Sequence, residues 1–133
     1  MKGEQKPKYS KVMIVDDSEL DNMLNRMILN TINFSGEIVV HNNPIKAFEQ
    51  IKLFATQSPS DLPEIIFLDI NMPEMDGFEF LEELEKLPGT TFDKTKIYML
   101  SSSDDQDDIE RAKSFSIVHK YLKKPLDKDE LLR

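Results

Sequence analysis

Side chains able to do chemistry follow several short apolar runs in this sequence. Three carboxylates, one hydroxyl and one amine share this position: Asp16, Asp17, Asp69, Ser101 and Lys124. Short apolar runs fit strands covered on both faces of a parallel sheet, and such sheets bind ligands beyond the carboxyl ends of their strands. We therefore expect these side chains to converge at one edge of a sheet. The simpler alternative is that Asp69 only caps a turn.

This set of side chains favours phosphoryl transfer on a metal site. Neighbouring carboxylates raise one another's pKa unless a divalent cation lies among them. An all-oxygen site suits Mg²⁺, which leaves coordination positions open for phosphate oxygens. In phosphoryl transfer, the protein positions a nucleophile and neutralises the phosphate oxygens. We assign the first task to Asp69 and the second to the metal, Lys124 and Ser101.

The elements that would position these side chains alternate along the chain. Apolar runs predict strands at residues 11–15, 37–40, 64–69, 96–100 and 118–122. Helices are predicted between and after them, beginning near Ser18, Asn43, Gly77, Asp104 and Asp127. This alternation predicts an α/β protein with a doubly wound five-stranded parallel sheet and right-handed crossovers.

The first predicted helix carries an apolar stripe that we assign to the core. Its members recur at helical spacing: Leu20, Met23, Leu24, Met27, Ile28 and Ile32. Ser18 and Asp21 form a partial capping box at its start. The second predicted helix points Ile45, Phe48, Ile51 and Leu53 inward.

Composition limits the class of protein. The 133 residues, 39% hydrophobic and 32% charged, fit one globular domain. We expect residues 1–10 to be a disordered leader and residues 11–133 to be the domain. The sequence has no apolar run of about 20 residues and no secretory signal, so we expect a cytoplasmic protein without membrane insertion. A net charge of −8 argues against direct nucleic-acid binding. The absence of cysteine rules out disulfides and thiolate chemistry.

The motifs together resemble the receiver domains of two-component response regulators. VDD, LDINMPEMDGFE, MLSS and YLKKP stand in the order and nearly the spacing of that family from Lys11 onward. The resemblance implies a flavodoxin-like (βα)5 fold with strand order 2-1-3-4-5. It also implies that Asp69 accepts a phosphoryl group from a histidine kinase or phosphotransfer protein. Mg²⁺ would be held by Asp16, Asp17, Asp69 and the backbone carbonyl of Asn71.

Further roles come from the same resemblance. Lys124 pairs with the phosphate, because the lysine of the family directly precedes the proline, and strand alternation puts Lys123 on the opposite face. Ser101 moves toward the phosphate and Tyr121 acts as the switching aromatic. Phosphorylation then changes a surface for a downstream protein target, with a monomer or a phosphorylation-dependent dimer as the assembly.

The resemblance also places two residues where the family tunes the phosphate lifetime. Asn71 and Ser103 stand two positions beyond Asp69 and Ser101. Because both side chains are too small to shield the phosphoryl group from water, we expect a lifetime of minutes.

The chain departs from the family pattern in two places. It has Ser116-Ile117 where the family commonly has Gly-Ala, with one extra residue before Tyr121. We therefore expect an altered loop ahead of the fifth strand. The last helix is short, which suggests a truncated or frayed end.

Rival functions remain open at this point. A phosphohydrolase of the haloacid dehalogenase type also uses a strand-end Asp with Mg²⁺, but Asn71 stands where such enzymes place a second Asp as general acid. A flavin module is disfavoured because Asp16, Asp17 and Glu19 would repel a flavin phosphate. An unphosphorylated scaffold and a receiver fragment of a hybrid histidine kinase are further alternatives. In the receiver interpretation the chain is not an enzyme beyond its own phosphorylation and dephosphorylation.

Overall fold

A parallel sheet forms the centre of the protein. The computed structural model describes residues 6–102 and 104–132. Five strands pair in the order β2-β1-β3-β4-β5, and every pairing is parallel. Their bounds are β1 Tyr9–Val15, β2 Ser35–His41, β3 Ile65–Asp69, β4 Lys96–Ser101 and β5 Val118–Lys123. The α/β class and the 2-1-3-4-5 order are thereby confirmed.

Helices connect the strands and cover both faces of the sheet. Their bounds are α1 Glu19–Thr31, α2 Pro44–Gln57, α3 Gly77–Glu85, α4 Gln106–Lys113 and α5 Lys128–Leu132, and a 3-10 turn lies at Pro59–Asp61. Asn43 caps α2 through its side chain and Pro44 takes the first helical position, as the sequence predicts. Within the described residues, no helix combines the length and apolarity that a bilayer crossing requires.

Two apolar clusters, one on each face of the sheet, make the core. Ile66, Leu68 and Met99 belong to the cluster that packs against α2, α3 and α4, whereas Phe67 and Leu100 belong to the other. Every residue of β3 is buried, because this strand is central and covered on both faces. The strand that carries Asp69 is therefore held on all sides.

The first strand begins earlier than the predicted leader allows. Tyr9 lies in β1, where its N–H donates to the Phe34 carbonyl at 3.0 Å and its ring packs on the Phe34 ring. The Ser10 N–H donates to the Glu64 carboxylate at 2.8 Å. Residues 9 and 10 are ordered by these contacts, and residues 1–5 of the predicted leader lie outside the described part.

The extra residue ahead of Tyr121 forms a bulge in β5. Ile97 pairs with Val118, but the next residue, Tyr98, pairs with Lys120. His119 is the additional residue, and its ring stacks on Tyr98 with centroids 6.0 Å apart. The expected irregularity therefore lies inside the strand, where a bulge absorbs one residue.

The interpretation of the α1 stripe as core is wrong for Leu20, Met23, Leu24 and Met27, whereas Ile28 and Ile32 pack against the core as predicted. Leu20, Met23 and Met27 are 61%, 53% and 58% exposed, whereas Asn22 and Asn25 are buried. The cause is a hydrogen bond in which the Asn22 side-chain amide donates to the Asp16 carbonyl at 2.8 Å. This bond satisfies a buried backbone acceptor, and it turns the asparagine face of the helix inward.

Two further residues predicted to face the core lie outside it. On α2, Ile45 and Leu53 are 37% and 50% exposed, whereas Ala47 and Ile51 are fully buried. Ala47 and Ile51 stand four residues apart and form the inner line of that helix.

Gly77 allows α3 to begin directly against the end of β3. A Cβ atom at this position would lie 2.6 Å from the Asp69 carbonyl oxygen and 2.9 Å from Ile70 Cα. The Gly77 N–H donates to the Ile70 carbonyl at 2.8 Å, so the close approach is part of the hydrogen bonding of the loop. Both of the clashing atoms belong to backbone and cannot rotate away.

We predict that Gly77→Ala lowers the free energy of unfolding by about 1–3 kcal/mol, because the added methyl overpacks against fixed backbone. Denaturant unfolding followed by circular dichroism measures the change. Gly89→Ala is the matched control, since its Cβ would meet nothing within 4 Å. Equal stability of the two variants would contradict the prediction.

Candidate functional site

The parallel register brings the chemically competent side chains to one edge of the sheet. Val15 pairs with Leu68, and Asp69 pairs with Leu100. Asp16 therefore follows β1 beside the end of β3, and Ser101 ends β4 next to it. Lys124 follows β5 directly, and its N–H donates to the Ser101 carbonyl at 2.8 Å.

Three carboxylates form an acidic cluster at this edge. Asp16, Asp17 and Asp69 each offer an oxygen within 4.8 Å of the others. Asp16 and Asp69 are buried, whereas Asp17 is exposed. A cation can therefore reach the buried pair from solvent along the Asp17 side.

The Lys124 ammonium lies among the carboxylates. Its Nζ is 2.7 Å from Asp16 Oδ2, 3.0 Å from Asp21 Oδ2 and 3.1 Å from Asp69 Oδ1. Lys123 points elsewhere, with its exposed Nζ 3.7 Å from Asp104. Of the two lysines before Pro125, Lys124 is thus the one beside Asp69.

The buried Asp16 Oδ2 atom is the best indication that the cluster suits a metal ion. It lies 2.7 Å from Lys124 Nζ, an ion-pair distance, but among the described residues no side chain or backbone group donates a hydrogen bond to it. Burying a carboxylate oxygen without a full set of partners is costly, and a divalent cation would satisfy it. The donor set fits a hard cation that prefers oxygen ligands.

Burial, followed by the neighbouring Asp16 carboxylate, raises the pKa of Asp69 to about 6 against the opposing effect of Lys124. Burial disfavours the ammonium of Lys124 as well. The nearby carboxylates of Asp16, Asp21 and Asp69 nevertheless raise the pKa of Lys124 above its usual value. The two pKa shifts have different dominant causes. Burial and like charge dominate at Asp69, whereas the opposite charges dominate at Lys124.

Three other predicted site residues, Ser101, Tyr121 and Asn71, lie on the strands and loop next to this cluster. Ser101 is fully buried at the end of β4, and Tyr121 is half-buried against the core cluster that contains Met99. Asn71 is exposed in the loop after β3. Ser103 lies outside the described residues, so its predicted role is not addressed by the structure.

Sequence reasoning missed the contact that Asp21 makes with Lys124. The partial capping box is only half formed, because Ser18 Oγ accepts from the Asp21 N–H at 3.2 Å while the Asp21 carboxylate turns away from the helix start. The Ser18 N–H instead donates to Asp16 at 2.9 Å. The shorter side chain of Asp, compared with the Glu or Gln of a complete capping box, was the available signal.

This doubly wound sheet, with an acidic cluster and a lysine at the carboxyl ends of its strands, defines a phosphoacceptor class of signalling domain. Residues 12–133 match the family described as the response regulator receiver domain. The chain therefore belongs to the receiver domain family of two-component systems, whose members interact with histidine kinases or phosphotransfer proteins.

Three similar proteins illustrate the match. A two-component response regulator from Cytophaga hutchinsonii superposes with a TM-score of 0.85 and 29% identity, over 96% of this chain and 93% of that one. Response regulator Rcp1 of Synechocystis sp. is 26% identical over 74% of this chain and 65% of its own length. A protein-glutamate methylesterase/protein-glutamine glutaminase of Thiobacillus denitrificans is 42% identical over 58% of this chain and 20% of its own length.

The comparisons also bear on the metal and on the rival functions. A Mn²⁺-bound form of Rcp1 has a TM-score of 0.73 and 25% identity over 92% of this chain and 86% of that one. The acidic cluster here likewise fits a divalent cation.

The haloacid dehalogenase alternative is not favoured by the family match. This chain spans about 65% of Rcp1 and a fifth of the methylesterase. Receiver domains themselves are generally non-enzymatic signalling domains.

We predict that Asp69→Asn stabilises the metal-free protein at neutral pH. Because the native pKa of about 6 exceeds the ordinary 3.8, the native state holds its proton longer, and stability falls as the pH rises through that window. The Asn variant should therefore gain about 1–3 kcal/mol at pH 7. The gain should disappear as the pH approaches 3.8.

Denaturant unfolding with a chelator present, repeated across this pH range, provides the measurement. Asp93→Asn is the control, because Asp93 is an exposed carboxylate before β4, at the opposite end of the sheet. A variant gain that is independent of pH would refute the assigned cause.

Proposed function

We propose that this chain accepts a phosphoryl group on Asp69 from a histidine kinase or phosphotransfer protein, and that it signals through protein contacts. The observation that carries this proposal is the position of Asp69. Its carboxylate is buried at the end of the central strand, beside the Lys124 ammonium and within the acidic cluster. Membership of the receiver family supports the same assignment.

The chemistry follows from these contacts. A carboxylate oxygen of Asp69 attacks phosphorus, the phosphorus–nitrogen bond of the donor phosphohistidine breaks, and the imidazole leaves. The product is an acyl phosphate on Asp69. A divalent cation, which we propose to be Mg²⁺ held by Asp16, Asp17, Asp69 and the Asn71 carbonyl, supplies charge neutralisation at the phosphoryl oxygens when bound.

Other side chains take the remaining roles in this proposal. Lys124 turns its ammonium from the carboxylates to the phosphoryl oxygens, where its positive charge is needed most. Ser101 moves its hydroxyl toward the phosphoryl group, and half-buried Tyr121 occupies the space that this movement opens. Asn71 and Ser103 tune hydrolysis, and the chemistry of the chain is limited to its own phosphorylation and dephosphorylation.

The exposed stripe on α1 supplies a docking surface for the phosphodonor. Leu20, Met23, Leu24 and Met27 form this stripe over two turns, starting from the helix end nearest the acidic cluster. Met27 also borders an apolar groove of about 460 Å³, which reaches Pro125 and Leu126 directly after Lys124. An exposed apolar surface that is continuous with the site indicates a partner that covers both.

We infer that the occupant of this surface is a helix of the phosphodonor. Exposed apolar residues spaced three and four apart form a ridge that packs against another helix. Such packing would bring a phosphohistidine on that helix toward Asp69. The proposal also includes a downstream protein target and a phosphorylation-dependent dimer. It includes a cytoplasmic location as well, because histidine kinases draw phosphoryl groups from ATP.

The first test concerns the phosphoacceptor. Incubation with acetyl phosphate and Mg²⁺ should add one phosphoryl group to the wild-type chain, and Asp69→Asn should add none, because an amide nitrogen and oxygen are poor nucleophiles. Intact-mass spectrometry reads out the adduct. Phosphorylation of the Asn variant to the wild-type level would disprove the assignment.

The second test separates docking from chemistry. Met23→Glu places a charge in the α1 stripe, so we expect phosphotransfer from a histidine kinase to slow at least about tenfold. Phosphorylation by acetyl phosphate should be unchanged. For this test, histidine kinases from the organism that encodes this chain are purified, and the one that phosphorylates the wild-type chain fastest is used.

Leu53→Glu is the matched control for this test, because Leu53 is 50% exposed but lies on α2. It should leave both reactions at wild-type rates. Equal slowing by the two variants would count against the α1 surface, and so would a Met23→Glu variant that slows with acetyl phosphate too.

A further inference from the structure

A fourth carboxylate reaches the site from α1. Asp21 Oδ2 accepts a hydrogen bond from Lys124 Nζ at 3.0 Å, across 103 positions of sequence. The ammonium has three N–H donors, and it has three carboxylates within reach: Asp16, Asp21 and Asp69. Asp21 therefore takes one of the three N–H directions of the ammonium.

Asp21 differs from the other two carboxylates in its relation to the metal. The carboxylates that converge closely enough to share a cation are Asp16, Asp17 and Asp69, and Asp21 is outside this group in the described part of the chain. A bound cation would be ligated by Asp16 and Asp69, and a phosphoryl group would be bonded to Asp69. Asp21 would remain available to Lys124 throughout.

The position of Asp21 on its helix keeps this contact in place. Its N–H is anchored to Ser18 Oγ in the first turn of α1, and its side chain is only about one-third exposed. Its carboxylate makes no capping bond to the helix start, as the half-formed capping box shows. The first turn of α1 thus holds the Asp21 backbone at the rim of the site, from where its carboxylate reaches Lys124.

We propose that Asp21 is a positioning residue that tethers the Lys124 ammonium at the α1 rim of the acidic cluster and orients it toward the phosphoryl group. This proposal rests on the proposed function of Asp69. One N–H of the ammonium stays on Asp21 while the other two exchange Asp16 and Asp69 for phosphoryl oxygens. The tether keeps a long, flexible side chain aimed at the reacting group, and so reduces the loss of freedom on reaction.

A competing physical effect predicts the opposite sign. The negative charge of Asp21 repels an anionic phosphodonor, so its removal would accelerate phosphorylation if charge alone mattered. Two substitutions separate the effects. Asp21→Ala removes the acceptor and the charge, whereas Asp21→Asn removes the charge but keeps an oxygen that can accept the hydrogen bond.

The first measurement is the phosphorylation rate with acetyl phosphate at saturating Mg²⁺. We expect Asp21→Ala to lower the rate constant about three- to tenfold, and Asp21→Asn to stay within about twofold of wild type. Glu19→Ala is the matched control, because Glu19 is an exposed acid on the same turn, and its removal changes the net charge equally. It should leave the rate unchanged.

The second measurement needs neither metal nor phosphodonor. In the metal-free protein, ¹⁵N NMR follows hydrogen exchange of the Lys124 ammonium, which we expect to be faster in Asp21→Ala because one N–H is released to water. Asp21→Asn and Glu19→Ala should resemble the wild type. Asp21→Ser, whose hydroxyl is too short to reach Nζ, repeats both measurements if the Ala variant fails to fold.

Defined outcomes overturn the proposal. Equal or faster phosphorylation of Asp21→Ala would do so, and so would unchanged ammonium exchange in that variant. Equal slowing by Asp21→Asn and Asp21→Ala would show that the hydrogen-bond acceptor at this position does not set the rate, and would reject the tether. If the wild-type chain takes up no phosphoryl group, the proposed function fails, and the exchange measurement alone decides whether Asp21 holds Lys124.

Discussion

The confinement of like charge at the end of the central strand governs this site. Asp16 and Asp69 are both buried, and two like charges confined side by side repel each other unless a cation lies between them. The Lys124 ammonium is the internal cation that makes this pair tolerable in the metal-free protein. When bound, a metal ion would pair with the carboxylates, and a phosphoryl group would pair with the Lys124 ammonium. The native structure is therefore arranged to exchange one set of ionic partners for another.

The fold makes this confinement possible through close backbone packing. Parallel pairing places Asp16, Asp69 and Ser101 at the ends of adjacent strands. The buried apolar side chains of β3 fix the position of Asp69 along the strand direction. Gly77 lets α3 start against the Asp69 carbonyl, which closes the site from one side. The first turn of α1 closes it from another. The geometry of the charges thus depends on apolar contacts that carry no charge themselves.

The sequence predicted those parts of the molecule in which one local rule dominates. The strand-end carboxylates follow from the apolar runs, whereas the choice of the lysine before Pro125 and the strand order follow from the family resemblance. The rotation of α1 did not follow, because helical spacing predicts that Leu20 faces inward, whereas the structure buries Asn22. A single tertiary hydrogen bond, from Asn22 to the Asp16 carbonyl, decided it. The Asp21 contact was hidden for a similar reason, because its partner lies 103 positions away.

The bulge at His119 has a consequence for the geometry of β5 as a whole. His119 and Lys120 both lie against the Tyr98 ring, so two successive residues occupy the same face of the sheet. Beyond this point, Met99 pairs with Tyr121 and Ser101 pairs with Lys123 without a further shift. The bulge therefore absorbs one added residue without changing which face of the sheet each later side chain occupies. Tyr121, Leu122 and Lys124 keep the faces that the site requires. Chain length ahead of the strand can vary at this point without reversing the side-chain pattern that the phosphoacceptor edge requires.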